Sequence, residues 1–368
     1  MEDIKFMKIA LKLAAKGMGF TEPNPMVGAV VVKNGHIIAA GYHHRFGADH
    51  AERDALKKIM EPGTTLYVTL EPCNHYGKTP PCVDFLMEKK VRRVVTAMYD
   101  PNPLVNGKGI QMLKEKGIGV DAGVLQDMAH KLNRHYIKYM NFHMPYITLK
   151  AGVSLDGKLT DKFHKSQWIT SKEIRRFTHS LRGEFSAIMV GVQTVINDDP
   201  HLNIREQVWG DKKLYRIVLD THNRLNTQLH IFGGDQDQFP LIIFSSNKAK
   251  NKTTKVKRHF FVNPRADGKL NLNEIMDILY QLGIASVMVE GGGDLFNSFL
   301  KEKLFDEIIL AVAGTFIGGK DSIQLFNWGT SVSTPINLKE REITVLESGY
   351  LIRGYKDDID KQCSQELY

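Results

Sequence analysis

The chain has 368 residues, 42% of them hydrophobic and 24% charged, a balance that excludes wholesale disorder and collagen-like repeats and leaves room for two domains. Three cysteines cannot make a disulfide framework, and no apolar run approaches the roughly 18 residues of a membrane helix, so a soluble, reducing, cytoplasmic setting is expected. The net charge of +8 fits nucleic acid, phosphorylated small molecules or a plain solvated basic surface, and the densest basic run, Lys248 to Arg258, has no interleaved aromatic residue to stack on bases.

The first predicted element is an amphipathic helix over about residues 2–18, with Ile4, Met7, Leu11, Ala14 and Met18 as its buried stripe; with Glu2, Asp3 and its interspersed lysines it is expected to be such a helix rather than a signal peptide. Two apolar runs, 27–33 and 36–43, flank Asn34-Gly35, whose residues both tolerate positive φ, so a hairpin is expected. A helix over 50–60, a buried strand over 65–70, a helix from Cys82 to Lys90 and a strand over 91–98 follow, then a further helix and strand and a closing helix over about 125–140. Pro145 marks a boundary, because proline cannot continue the helix before it. A second α/β series begins with a strand over 146–153, and Thr170 to Glu173 reads as a capping box. Strands are then expected at 186–191, 215–220, 241–246, 259–262, 285–290 and 305–313, with a polar tail at the end. Strands alternating with helices imply an α/β layer architecture, divided into domains 1–144 and 145–368.

The first domain carries a metal-type constellation. His50-Ala51-Glu52 opens a predicted helix, a strand ends in Glu71-Pro72-Cys73, and Cys82 follows after eight intervening residues. A catalytic zinc takes three nitrogen or sulfur ligands and keeps a fourth position for water, and His50, Cys73 and Cys82 supply the three. Glu52, two residues from the histidine, is placed to take a proton from that water and pass it to a ring nitrogen and a leaving amine. His75 competes as a ligand. Zinc nucleobase deaminases carry the related His-x-Glu and Pro-Cys-x-x-Cys. Here the second cysteine is displaced by Asn74 to Pro81.

With that insertion, Thr21 to Gly28 (TEPNPMVG), His50-Ala51-Glu52, Glu71-Pro72-Cys73, Gly77 to Cys82 (GKTPPC) and Asp100-Pro101-Asn102-Pro103 resemble the bifunctional deaminase/reductase family of riboflavin biosynthesis. The resemblance implies a cytidine-deaminase-like, three-layer first domain that deaminates a diaminopyrimidinone ribosylamine 5′-phosphate. It also implies that Asn24 contacts the pyrimidine; a rigid Pro-Asn-Pro loop is the other reading of that turn.

In the second domain a predicted strand runs into Gly291-Gly292-Gly293-Asp294, where backbone N–H groups at a helix start can approach phosphates. Phe296 stands where G-x-G-x-x-G needs its third glycine, so an ordinary Rossmann site is not expected, and the glycines alone also fit a plain tight turn. Lys150 to Gly157, Ser166 to Thr170, Gly191 to Val195 with Asp198-Asp199-Pro200, and Glu290 to Gly293 occur in the order of the reductase half of the same family. The resemblance implies a dihydrofolate-reductase-like fold using NADPH. It assigns cofactor contacts to Val153, Trp168, Thr194, Asp198, Thr221 and the stretch Gly292, Gly293, Asp294, Leu295, Phe296, Asn297 and Ser298. It assigns substrate contacts to Ser166, Arg182, Leu202, Arg205 and Glu290. The two arginines can grip a phosphate through paired N–H donors, whereas Leu202 offers only backbone or packing. Lys150 and Asp156 are candidates for holding the ribose, and Arg175 or Arg176 for a 2′-phosphate. A homo-oligomer, with neither nucleic acid nor membrane as partner, completes the expectation, and Cys363 is left without a role.

Overall fold

The computed structural model describes residues 2–74, 81–161, 169–249, 256–327 and 335–356. Its contacts divide the chain into two compact units that part between His143 and Met144.

The first unit runs α1 (Glu2–Ala14), β1 (Gly28–Lys33), β2 (His36–Tyr42), α2 (Ala51–Leu56), β3 (Thr65–Val68), α3 (Cys82–Glu88), β4 (Arg93–Thr96), α4 (Lys108–Glu115), β5 (Gly119–Asp121), α5 (Gln126–Leu132) and α6 (Arg134–Phe142). Its sheet has the order β2-β1-β3-β4-β5. β1 is antiparallel to β2 and β3, while β3, β4 and β5 are parallel. The Asn34-Gly35 hairpin forms as expected, with φ of 50° and 78°. Helix α1 is shorter than expected and buries Phe6, Met7, Ala10, Leu11 and Ala14, whereas Ile4 is 45% exposed. Met7, Leu11 and Ala14 are thus buried as expected, and Phe6 and Ala10 complete the stripe in place of Ile4 and Met18. The helix expected over 125–140 breaks at Asn133, which leaves helical geometry. The buried Asn133 amide clamps both polar groups of the Met26 backbone at 2.8 and 3.0 Å. A side chain used this way stabilises a neighbouring loop at the expense of helix continuity.

The second unit runs β6 (Tyr146–Val153), β7 (Lys158–Thr160), α7 (Lys172–Ser180), β8 (Ala187–Gly191), α8 (Val192–Asp198), β9 (Tyr215–Leu219), β10 (Leu241–Ser246), β11 (Arg258–Val262), α9 (Leu272–Gln281), β12 (Ser286–Glu290), α10 (Gly293–Lys301), β13 (Glu307–Ala313), β14 (Ile323–Gln324), β15 (Arg341–Leu346) and β16 (Gly349–Tyr355). A nine-stranded sheet has the order β11-β10-β9-β8-β12-β6-β13-β16-β15, parallel from β11 to β13. The β15–β16 hairpin closes the other edge antiparallel. The sequence reading missed that hairpin because nearly all of β15 is exposed, so it carries no buried-face alternation. The capping box is also corrected: Ser171, not Thr170, caps α7, its Oγ accepting the Ile174 N–H at 3.2 Å. Parallel strands buried on both faces read as continuous apolar runs, as β8 and β10 do. Their carboxyl ends lie along one edge of the sheet, where ligands bind in open α/β sheets.

Among the described residues no helix is long and apolar enough to cross a membrane.

Candidate metal centre and sheet-edge site

In the first unit the amino ends of α2 and α3 carry two of the predicted ligands. His50 is the residue before α2, Cys82 opens α3, and Cys73 lies in the segment after β3. His50 Nδ1 stands 3.3 Å from Cys82 Sγ and 3.6 Å from Cys73 Sγ. A tetrahedral zinc with Zn–N of about 2.1 Å and Zn–S of about 2.3 Å requires N···S edges of about 3.5 Å. The three donor atoms all lie within 4.8 Å of one another and are the one such group among the described residues, so they fit zinc. The Cys82 backbone N–H points at Cys73 Sγ at 3.4 Å. The Cys73 thiol is drawn down by its hydrogen bond with Cys82 and by His50, while Cys82 is pushed up by the same pairing and by burial. His75 lies outside the described residues.

Glu52 is 4% exposed in the first turn of α2, and burial pushes its carboxyl above the usual range. It reaches the Cys82 thiol and so sits against the donor set. A carboxyl that is easily protonated, beside a metal position, is suited to carrying a proton both ways. Asn24 lies in the turn after the Glu22–Pro23 bond, with its Nδ2 3.4 Å from His43 Nε2. His43 is 3% exposed, its Nδ1 meets the Asp49 carbonyl at 3.0 Å, and its ring stands edge-on to His50 at 5.9 Å. His43 was missed: a histidine closing a strand has no spacing signal, and only the fold brings it between Asn24 and His50.

In the second unit the predicted residues gather at the carboxyl edge of the parallel strands. Glu290 ends β12 opposite Lys150 of β6, with Nζ and Oε1 3.9 Å apart. The Arg182 fork is turned onto Glu290, at 2.9 Å to Oε2 and 3.3 Å to Oε1, and its other nitrogen meets the Asn203 carbonyl at 2.9 Å. The expected free phosphate fork is thus engaged by a carboxylate, and Arg205 is the exposed arginine. Burial would raise the Glu290 carboxyl, but Arg182 and Lys150 overcome it and pull it down to about 2. His179, also missed, faces Arg182, Glu290, Arg205 and Lys150; burial and then Arg182 push it down to about 4, so it is neutral.

Gly291 has φ of +118°, and a Cβ there would meet Thr194 Oγ1 at 2.8 Å, so β12 and α8 meet only because residue 291 lacks a side chain. Gly292 precedes α10. Phe296 is in the core, the Asn297 amide bonds the Leu325 carbonyl at 2.9 Å, and the Ser298 hydroxyl bonds the Asp294 carbonyl at 2.8 Å. Any ligand on this stretch is therefore met mainly by backbone N–H groups from Gly292 to Leu295. Val153 is buried at the end of β6, and Thr221 follows β9 with its carbonyl accepting the Ser246 N–H. Asp198 is exposed at the end of α8. Leu202 is buried with φ of +50°. Asp156 is committed elsewhere: its carboxylate accepts from Ser154 Oγ and from the backbone of Ile317 and Gly318 at 2.6, 3.1 and 2.8 Å. The Arg175 guanidinium donates to the Thr170 carbonyl, and Arg176 is exposed. Ser166, Trp168 and Cys363 lie outside the described residues.

Residues 1–98 match the model of the cytidine and deoxycytidylate deaminase zinc-binding region, and residues 145–352 match that of the RibD C-terminal domain. A riboflavin biosynthesis protein RibD of Aquifex aeolicus is 45% identical over 86% of this chain and 88% of its own length. The protein of the same name from Escherichia coli K12 is 39% identical over 86% and 89%. A solved diaminohydroxyphosphoribosylaminopyrimidine deaminase/5-amino-6-(5-phosphoribosylamino)uracil reductase of Thermotoga maritima has a TM-score of 0.86 at 34% identity, covering 97% of this chain and 99% of its own. Acinetobacter baumannii RibD superimposes with a TM-score of 0.87 at 34% identity over the same shares.

Proposed function

The chain belongs to the RibD family and is a bifunctional deaminase and reductase of riboflavin biosynthesis, and from that premise we propose how its own residues divide the two reactions. The segment up to His143 carries the deaminase and the segment from Met144 to Asp358 the reductase, one residue earlier than the boundary at 144/145 expected from the sequence. The substrate is 2,5-diamino-6-(5-phosphoribosylamino)pyrimidin-4(3H)-one and the final product 5-amino-6-(5-phosphoribitylamino)uracil.

His50, Cys73 and Cys82 hold zinc; the donor triangle with Glu52 buried beside it carries this reading. Zinc there supplies Lewis-acid activation of a water molecule. Glu52 takes one proton from that water as the water oxygen bonds to the amino-bearing ring carbon, passes it to the adjacent ring nitrogen, then takes the second proton from the new hydroxyl and delivers it to the amino group, whose C–N bond breaks to release ammonia. Asn24 orients the pyrimidine, and His43 holds Asn24.

In the reductase, bound NADPH would supply the hydride that C1′ of the opened ribosyl chain takes up, with solvent supplying the balancing proton. Backbone N–H groups from Gly292 to Leu295, with Val153, Thr194, Asp198, Thr221 and the segment to Ser298, hold the cofactor; Trp168 and Ser166 are assigned by family resemblance alone. Arg205 meets the substrate phosphate from the exposed side. Arg182, Glu290 and Lys150 form the charged floor that orients the ribose, and Leu202 shapes it through its backbone. The surplus of +8 suits an anionic substrate and cofactor. The thiol ligands favour the reducing cytoplasm, and we expect neither nucleic acid nor membrane as partner. A homo-oligomer is favoured by the edge strand β15, where Ile343 and Val345 are 66% and 73% exposed.

The test is one assay of purified protein with the pyrimidine ribosylamine phosphate and NADPH. Ammonia release followed by loss of NADPH absorbance is expected; the absence of both signals overturns the reading.

A further inference from the structure

The motifs Glu71-Pro72-Cys73 and Asp100-Pro101-Asn102-Pro103 are far apart in sequence, and the proposed chemistry uses only Cys73 of them. The structure joins them. Glu71 is 3% exposed, and no cationic side chain reaches its carboxylate among the hydrogen bonds and ion pairs of the described residues. Three backbone N–H groups satisfy it instead: Oε2 accepts from Asp100 at 3.2 Å and from Gly107 at 2.8 Å, and Oε1 from Ile110 at 3.1 Å. The Glu71 N–H in turn bonds the Met98 carbonyl at 3.0 Å. The segment 98–110 is therefore tied to the end of β3 through one residue. Contact is equally close on the other side of the peptide, because a Cβ on Gly109 would lie 2.1 Å from the Pro72 carbonyl oxygen. Asp100 is held from behind by the Tyr136 hydroxyl at 2.8 Å and by the Asn102 N–H at 2.9 Å.

A buried carboxylate with backbone N–H partners on both oxygens has a fixed orientation, since any rotation leaves a donor or an acceptor unmet. Two residues on, Cys73 has its own fastening: its carbonyl accepts the Val83 N–H and its sulfur faces the Cys82 N–H. Cys73 thus sits between two clamps, α3 on one side and the Glu71 anchor on the other. The ligand segment is irregular, with neither helix nor strand to hold it, so its sulfur position depends on them.

We infer that Glu71 is a positioning residue for the deaminase: its carboxylate locks the Pro72–Cys73 peptide against the 98–110 segment and thereby sets where the Cys73 sulfur meets the metal. This rests on the zinc reading above. Outer groups that orient metal ligands typically cost 10–100-fold in metal affinity or activity when removed.

The test uses the full-length enzyme and Glu71→Gln, which keeps the shape but places an NH2 group against a backbone N–H. Zinc transfer to a colorimetric chelator should accelerate by about 10–100-fold. The visible bands of the cobalt-substituted variant should shift, while reductase kcat and KM on pre-deaminated substrate stay as in wild type. Gly109→Ala keeps the Glu71 carboxylate but forces the same interface apart, its Cβ falling 2.1 Å from the Pro72 carbonyl oxygen and 3.2 Å from Glu71 Oε1, and should act in the same direction. If Glu71 only caps α4, thermal stability falls but zinc release and the cobalt spectrum match wild type, and that result overturns the inference. If Glu71→Gln does not fold, Gly109→Ala decides by the same two readouts. Wild-type protein that binds no zinc would sink the metal assignment itself, an outcome distinguishable from failure of the anchor alone.

Discussion

At the scale of single residues, the two units use carboxylates in opposite ways. For Glu52 burial outweighs the attraction of His50, and its proton affinity rises; Glu290 is buried against Arg182 and Lys150, and its proton affinity falls. The first suits proton transfer and the second suits a permanent charge. Glu52→Gln should abolish ammonia release by about 10²–10⁴-fold while the reductase still consumes NADPH on pre-deaminated substrate; loss of both activities would contradict separate sites. Glu290→Gln leaves Arg182 buried without its counter-charge and should destabilise the second unit by about 3 kcal/mol at pH 7. Because the folded pKa lies below the unfolded one, this contribution is present above about pH 4.5 and disappears as pH falls toward 2. Urea titrations of both proteins at pH 7 and pH 3 should show the gap narrowing. Of these residues, Glu52 was readable from its place beside His50, because two residues along a helix start is a local relation. The Arg182–Glu290 pair, 108 residues apart, was not: a guanidinium can face a phosphate or a carboxylate equally well, and only the packed sheet edge shows which.

At the scale of elements, the deaminase site depends on segments that are neither helix nor strand. The turn bearing Asn24 is held by Asn133, and Cys73 by α3 and Glu71. Asp100 shows what such packing costs. Burial lifts its carboxyl to about 6, above the unfolded 3.8, so folding favours the protonated form. Stability from this group is therefore complete below about pH 4 and is lost as pH rises through 6. Asp100→Asn keeps the oxygen that accepts from Tyr136 and Asn102, and should stabilise the first unit by up to about 3 kcal/mol at pH 7 and by about a third of that at pH 4.5. An equal effect at both pH values in chemical denaturation would refute this. Elements with a buried face were legible: β1, β8 and β10 appear where their apolar runs stand, while the largely exposed β2 was legible through the Asn34-Gly35 turn before it. The exposed β15 and the break at Asn133 were not, because one lacks a buried face and the other answers to a contact with Met26.

At the scale of the molecule, two compact units carry two chemistries, and only one needs metal. A strong chelator should stop ammonia release while NADPH consumption on pre-deaminated substrate continues, and zinc should restore the first activity; parallel loss of both would mean that the units are not chemically independent. The sequence by itself determined the two-part α/β plan, the donor types His50, Cys73 and Cys82 with Glu52 beside them, and the order of motifs that marks the family. Those are local facts: periodicity, turn chemistry and residue identity survive without the fold. The tertiary structure alone decided that Nδ1 is the histidine nitrogen facing both sulfurs, that Arg182 is spent on Glu290, that Asp156 ties a loop, and that Glu71 fastens segment 98–110 to the Cys73 segment. Each of these is a choice among partners that are equally acceptable chemically, and distance in the folded chain makes the choice.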